Sequence, residues 1–165
     1  MRFIVLMAIP YLAVFFETTF FASFSLSGVV PDLVLIFAVF FAVVNGSKSG
    51  AVYGFLCGLF EDLYLGRFIG MNALALGITC YIIGRLRANV FQENVLVGFG
   101  SVVLATVINA ILMMLLGWLN FTPNRPDIYF FLNLSGQIAY NGILSVPIYI
   151  WYYKAAQRGF FTSKG

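Results

Sequence analysis

A run of glycines at four-residue intervals dominates the first half of the chain. Gly50, Gly54 and Gly58 are followed at the same interval by Asp62 and Gly66, within the sequence GAVYGFLCGLFEDLYLG. Residues four apart share one face of an α-helix, so the pattern predicts a helix whose flat groove ends at a carboxylate. Each glycine costs about 1 kcal/mol of helix propensity relative to alanine, and three on one face therefore favour close approach of a second helix.

The sequence around this glycine stripe is strongly apolar. Of 165 residues, 62% are hydrophobic and 9% are charged, whereas soluble proteins have about 25% charged residues. We therefore expect an all-α integral membrane protein with one polytopic domain over residues 1–165. Histidine is absent, which removes the commonest general base and metal ligand, so neither a cofactor nor a metal is expected. Cys57 and Cys80 lie in apolar segments and are expected to be unpaired thiols.

Six apolar segments separated by turn residues predict a bundle of six transmembrane helices. The predicted spans cover residues 3–21, 32–44, 49–65, 71–83, 95–119 and 128–153. The second and fourth are short against the roughly 20 residues of a typical span. They would be buried inside the bundle, tilted, or matched by a thinned bilayer. Pro10 predicts a kink in the first helix, and Pro31 with Asp32 suits the first turn of the second.

The distribution of charge predicts the orientation of the bundle. Seven of the nine lysines and arginines fall on the side of the two termini, whereas Arg67 and Arg125 fall opposite. The positive-inside rule then places both termini in the cytoplasm. Most acids map to the outer side. The predicted outer polar cluster comprises Glu17, Asp32, Glu61, Asp62, Arg67 and Arg125.

Two carboxylates near predicted span ends allow more than one role. Asp62 either accepts hydrogen bonds from Arg67 or from N–H groups of the following turn, or it contacts a partner or ligand. Glu17 either faces the bundle or extends to the membrane interface.

Glu61 and Asp62 are adjacent, so on a helix they point about 100° apart and form no facing acid pair. The chain is therefore predicted not to be an enzyme, and no nucleic-acid signature is present.

A polar stripe recurs in the last two segments. Asn133, Gln137 and Asn141 are spaced four apart, and the fifth segment holds Ser101, Thr106 and Asn109. They predict either interhelical hydrogen bonds, worth about 0.6 kcal/mol each, or a small polar cavity. Aromatic residues at span ends predict the membrane interfaces. These are Trp118, Tyr129, Trp151, Tyr152 and Tyr153.

The order and spacing of several motifs resemble the MreD family of bacterial rod shape-determining proteins. The resemblance is closest from residue 31 to 87, and segments five and six match only in character. It rests on Pro31-Asp32-Leu33-Val34, on Asn45-Gly46-Ser47-Lys48-Ser49-Gly50, on Gly54-x-x-x-Gly58-x-x-x-Asp62 and on Gly66-Arg67-x-x-Gly70-x-Asn72. Gly66 and Gly70 match positions of the family's pattern, and the resemblance implies no catalytic role for them.

The resemblance implies a non-enzymatic subunit of the elongation machinery in the bacterial inner membrane. Its implied partners are the lipid bilayer, the bitopic protein MreC and, more widely, MreB, RodA and a class B penicillin-binding protein. It also implies an architecture similar to the substrate-binding subunits of energy-coupling-factor transporters. Our first hypothesis is a scaffold whose glycine groove and outer acidic end dock a partner helix, with an internal packing seam as the alternative for the groove. The rival is a transporter subunit that binds a vitamin or lipid intermediate.

Overall fold

The computed structural model describes residues 2–21, 29–66, 69–86, 95–119 and 128–157, and their regular structure is helical. A π-helical turn, Glu17–Phe21, continues the first of six α-helices. The helices are α1 (Arg2–Phe16), α2 (Leu33–Asn45), α3 (Ser47–Leu65), α4 (Met71–Leu86), α5 (Val95–Leu119) and α6 (Ile128–Gln157). The predicted all-α class is confirmed. With the π-helical turn included, the helix ends lie within four residues of the predicted segments.

The helices differ in how well each is suited to cross a bilayer. Within the described ranges, α5 alone is both long and apolar enough by length and hydropathy, whereas the apolar stretches Ala8–Phe20, Leu33–Asn45 and Met71–Leu86 are shorter than a usual span. Of the six predicted spans, only α5 therefore meets the usual requirement.

The short helix α2 forms the centre of the bundle. It contacts each of the other five α-helices, and its side chains from Leu33 to Ile36 and from Ala38 to Val43 are buried, several completely. A helix that is apolar on all sides is typical of such a buried position. Of the three explanations for its shortness, burial inside the bundle is the one observed.

The glycine stripe lies in the most extensive helix contact of the fold, between α3 and α4. A methyl group added to Gly58 would lie 2.6 Å from the Asn72 carbonyl oxygen, and one on Gly54 would lie 2.9 Å from the Leu76 carbonyl oxygen. The two helices are therefore antiparallel, with their backbones in contact. At the other end of the stripe, Gly50 lies against Ala42 of α2. The stripe is thus filled within the chain, and a partner helix would have to displace α4 or α2 to reach it.

Pro10 in α1 leaves a backbone carbonyl without its usual donor, and Tyr53 in α3 supplies a donor to that carbonyl. Proline has no N–H, so the carbonyl of Leu6, four residues earlier, loses its usual donor within α1. The Tyr53 hydroxyl donates to this carbonyl oxygen at 2.9 Å. The Tyr53 ring also packs against Phe41, with centroids 4.4 Å apart. This bond thus attaches α1 to α3 at the position where proline interrupts the helix.

Replacing Tyr53 by phenylalanine is expected to lower the free energy of unfolding by about 1 to 2 kcal/mol. The ring contact is retained, but the Leu6 carbonyl is left without a donor. In a Pro10→Ala background an N–H returns at position 10, so the same substitution should cost much less. Unfolding of the four proteins of this cycle in detergent micelles measures the coupling, and equal costs in both backgrounds would contradict the pairing.

The outer surface of the bundle is rich in large apolar side chains, as expected for a membrane protein. They occur on every helix except α2. Trp118, Tyr129 and Trp151 are more than half exposed, in keeping with an aromatic belt. The prediction was wrong for Tyr152, which is 1% exposed and packs on Phe40 with centroids 5.9 Å apart. Its position near the helix end did not reveal that it faces inward.

Candidate functional site at the acidic end of the bundle

Asp62 holds the beginning of α4. Its side chain is 4% exposed and its Oδ2 accepts hydrogen bonds from the backbone N–H groups of Gly70 at 2.8 Å, Asn72 at 3.2 Å and Ala73 at 3.2 Å. The first N–H groups of a helix have no partner within the helix, so a carboxylate there both satisfies them and complements the helix dipole. Of the interpretations of Asp62, bonding to the following turn is the arrangement observed.

Glu17 and Asp32 together hold the beginning of α2. Glu17 Oε1 accepts from the backbone N–H groups of Leu33 and, at 3.1 Å, of Val34. Asp32 is the N-cap, and its Oδ1 accepts from the N–H of Leu35 at 2.7 Å. The expected acid at the start of this helix is thus confirmed. Glu17 faces the bundle, because it satisfies the two N–H groups that Asp32 does not reach.

Asn141 connects this capped helix end to α5 and α6. It is completely buried. Its Oδ1 accepts from the backbone N–H of Asp32 at 2.8 Å, and its Nδ2 donates to Thr106 Oγ1 at 3.1 Å. Thr106 in turn donates to the Val102 carbonyl at 2.9 Å. One amide therefore joins three helices by interhelical hydrogen bonds.

Asn141→Leu is expected to lower the free energy of unfolding by about 2 kcal/mol. The substitution keeps the volume but leaves the Asp32 N–H without its buried acceptor. Asn133→Leu is the matched control, because Asn133 lies two turns away on the same helix and is exposed. Thermal unfolding in micelles compares the two variants. A loss of stability from Asn133→Leu as large as that from Asn141→Leu would contradict the assigned role.

A cavity of about 550 Å³ opens at this end of the bundle. Its carboxylates come from the start of α2 and the end of α3, its amides from α4, α5 and α6, and its apolar wall from methionines and a phenylalanine. The polar lining residues are Asp32, Glu61, Asp62, Asn72, Thr106, Asn109 and Gln137, and the apolar wall includes Met113, Met114 and Phe130. A volume of this size is typical of ligand sites.

The polar groups of this acidic-end cavity are mostly hydrogen-bond acceptors. Glu61 Oε2 accepts from Asn72 Nδ2 at 2.5 Å. Asn109 Oδ1 is buried and has no hydrogen-bond partner among the described residues. A buried acceptor usually has a partner, so this oxygen is an exception among the satisfied polar groups around it. The described part of the chain holds no group of three or more histidine, cysteine or acidic side chains that could bind a metal.

The structure brings together most, but not all, of the residues predicted for the site. Asp32, Glu61, Asp62, Asn109 and Gln137 line one cavity. Asn133 is exposed instead, because the four-residue spacing drifts around the helix and the stripe leaves the interface.

Gly66 and Gly70 have φ of 62° and 98° in the turn between α3 and α4, where a side chain would be strained. Arg67 and Arg125 lie outside the described residues.

Two groups that build the site lie outside the predicted outer polar cluster. Thr106 and Asn72 hold Asn141 and Glu61 respectively. Asn72 was signalled by its place at the start of a helix beside a glycine turn. Thr106 was among the polar residues of the fifth segment for which an interhelical hydrogen bond was predicted, and it accepts one from Asn141.

Comparison with known proteins bears directly on this architecture. A family model described as rod shape-determining protein MreD matches residues 1–158. No match to the chain was found among curated proteins or among solved structures. The matched region covers nearly the whole chain, including every helix that builds the acidic-end cavity. The chain therefore belongs to the MreD family of rod shape-determining proteins.

Proposed function

We propose that this protein is a non-enzymatic scaffold or regulatory subunit of the rod-shape complex, which controls lateral peptidoglycan synthesis. It docks MreC at its acidic end and, through MreC, associates with MreB, RodA and a class B penicillin-binding protein. It forms one six-span domain in the bacterial inner membrane, with both termini in the cytoplasm. Membership of the MreD family supports the role in cell shape, and the acidic-end cavity carries the docking proposal.

The proposed orientation is supported by where the described charges lie. The four described outer acids surround the starts of α2 and α4. Lys48 lies in the first turn of α3, and Arg85 and Lys154 lie in the last turns of α4 and α6. In each of these helices the basic residue is at the end away from the acids. Gly84 contacts Ser47 at that end, so Lys48 and Arg85 lie at the same end of the bundle. By the positive-inside rule, this grouping supports the proposed position of the cavity on the outer side.

The chemistry of the acidic-end cavity favours a partner that brings hydrogen-bond donors and positive charge. Three carboxylates and several amide groups line it. A basic, membrane-proximal segment of MreC would complement these groups, and Met113, Met114 and Phe130 would receive its apolar side chains. The cavity shows no Ser, Cys or Lys nucleophile among its described lining residues.

The glycine stripe contributes to this proposal indirectly. Its close contact with α4 sets the position of the turn that Asp62 holds, and that turn forms one wall of the cavity. We therefore propose that the stripe supports the docking surface and does not itself contact MreC.

Filling the cavity tests the docking proposal. Ala110 lines the cavity, whereas its neighbour Ile111 is 52% exposed on the surface of the bundle, outside the cavity. Ala110→Trp should abolish co-purification of MreC and convert rod-shaped cells to spheres. Ile111→Trp, which places the same side chain outside the cavity, should leave both unchanged. Retained MreC and rod shape with a stably expressed Ala110→Trp would overturn the proposal.

A second candidate function is supported by the same cavity. Convergent polar groups in a volume of about 550 Å³ also fit a small molecule such as a vitamin or lipid intermediate, as in a transporter's binding subunit resembling those of energy-coupling-factor systems. Thermal unfolding with a panel of such compounds tests it, since binding raises the unfolding temperature. A stabilising compound whose effect is lost in Ala110→Trp would favour this candidate over docking of MreC.

A further inference from the structure

A second, apolar groove runs between α1 and α3, on the side of α3 turned away from the glycine stripe. Its volume is about 610 Å³. Leu6, Phe41 and Cys57 are buried in its floor, whereas Val52 and Leu56 on its rim are 63% and 50% exposed. The groove therefore opens to the surroundings of the bundle. Contacts between α1 and α3 are sparse, which leaves this α1–α3 groove unfilled.

The α1–α3 groove has a cation at one end. Lys48 and Ser49 line that end, and Leu63 lines the other. Lys48 is exposed and has no ion-pair partner among the described residues. The described carboxylates lie at the far end of α3, where Asp62 holds the next turn. A positive charge is thus available at the groove, without an acid of the described chain to neutralise it.

The start of α3 adds hydrogen-bond donors beside this cation. Its N-cap is Gly46, which offers no side-chain hydrogen bond to the first N–H groups of the helix. Backbone N–H groups at a helix start, together with the helix dipole, favour a phosphate. The groove then extends from Ser49 to Leu63, about 21 Å along the helix axis. This length exceeds the roughly 15 Å of one leaflet's hydrocarbon.

We propose that the α1–α3 groove binds one anionic phospholipid of the cytoplasmic leaflet. The phosphate lies at Lys48 and the start of α3, and one acyl chain lies along the groove over Tyr53 and Cys57. A charged end followed by an apolar length matches the two parts of a phospholipid. The choice of the cytoplasmic leaflet rests on the orientation given in the proposed function. The groove and its positive charge do not depend on that orientation.

Photocrosslinking with lipid probes tests this site. The purified protein is placed in phosphatidylcholine vesicles that contain a small share of photoreactive phosphatidylglycerol, or of photoreactive phosphatidylcholine as the probe without net charge. We expect phosphatidylglycerol to label groove residues preferentially. Lys48→Gln should reduce this labelling about fivefold, since one lysine near a membrane surface contributes about 1 kcal/mol. Leu56→Trp should abolish it by filling the groove.

Two control variants distinguish loss of the lipid site from nonspecific effects of removing a charge or adding bulk. Lys154→Gln removes an exposed cation at the same end of the bundle, and Ile78→Trp adds bulk to an exposed position of α4; both should leave labelling unchanged. Equal labelling by both lipids, or by wild type and Lys48→Gln, would overturn the proposal. Capture of a partner's membrane helix from Val52 in cells would also overturn it. Lys48→Gln should still co-purify MreC, so failure here is distinguishable from failure of the docking proposal.

Discussion

Asp62→Ala is expected to lower the free energy of unfolding by about 3 kcal/mol. The carboxylate is almost fully buried and accepts from three backbone N–H groups at the start of α4. Alanine leaves these three donors without their acceptor, and hydrogen bonds to charged groups are the stronger kind. Unfolding in micelles, followed by helical circular dichroism, measures the loss.

Two further variants make this expectation specific. Asp62→Asn keeps an oxygen acceptor of the same shape, so its cost should be about half as large. Leu63→Ala removes an adjacent side chain that is 61% exposed, and its cost should be below about 1 kcal/mol. If Asp62→Ala were no more destabilising than Leu63→Ala, the three hydrogen bonds would not hold the turn as described.

Gly58→Ala is expected to cost about 2 kcal/mol, although alanine is the better helix former. The new methyl group would lie 2.6 Å from the Asn72 carbonyl oxygen and 2.8 Å from the Ala73 Cα atom. Both are backbone atoms of α4, so the clash is relieved only by moving the helices apart. The same displacement would disturb the turn that Asp62 holds. We therefore expect shape complementation in cells to be impaired together with stability.

Gly77→Ala is the control on the facing helix. Its methyl group would lie 3.2 Å from the Phe55 Cβ atom, a contact that a small shift relieves. The gain of about 1 kcal/mol in helix propensity should then offset most of the cost. Comparison of the two variants by unfolding in micelles isolates close backbone contact from loss of glycine itself. Equal effects of both substitutions would contradict the packing of Gly58 on α4.

The features that follow from local sequence were predictable. Asp32 precedes its helix directly, and Asp62 is followed within eight residues by a glycine turn, so both can reach nearby N–H groups. The four-residue spacing fixed which face of α3 is free of side chains. It did not determine which helix covers that face, since glycine stripes pack equally well against a neighbour in the chain or a partner.

The features that depend on tertiary contacts were not predictable. Glu17 caps a helix that begins sixteen residues later, and Asn141 bonds to a residue 109 positions away. Pro10 indicates that the Leu6 carbonyl lacks a donor, but only the packing of α1 on α3 selects Tyr53 to supply it. In each case the sequence shows a polar group that requires a partner, and the fold decides which partner it meets.

The capped helix ends link the stability of the fold to its proposed docking surface. Glu17, Asp32 and Asp62 satisfy the starts of α2 and α4, and the same ends form walls of the acidic-end cavity. Asp32 and Asp62 therefore both stabilise the fold and line the cavity. For this reason alanine variants of these acids would confuse folding with docking, and probes placed on the apolar wall of the cavity are preferable.

Crosslinking in cells from a photoreactive residue at position 113 tests the docking of MreC most directly. Met113 lines the acidic-end cavity, whereas Leu115, two residues later on the same helix, is 51% exposed on the outer surface. We expect MreC to be captured from position 113 and not from position 115, in cells that remain rod-shaped. Capture from position 115 but not from position 113, or from neither, would contradict docking of MreC in the cavity.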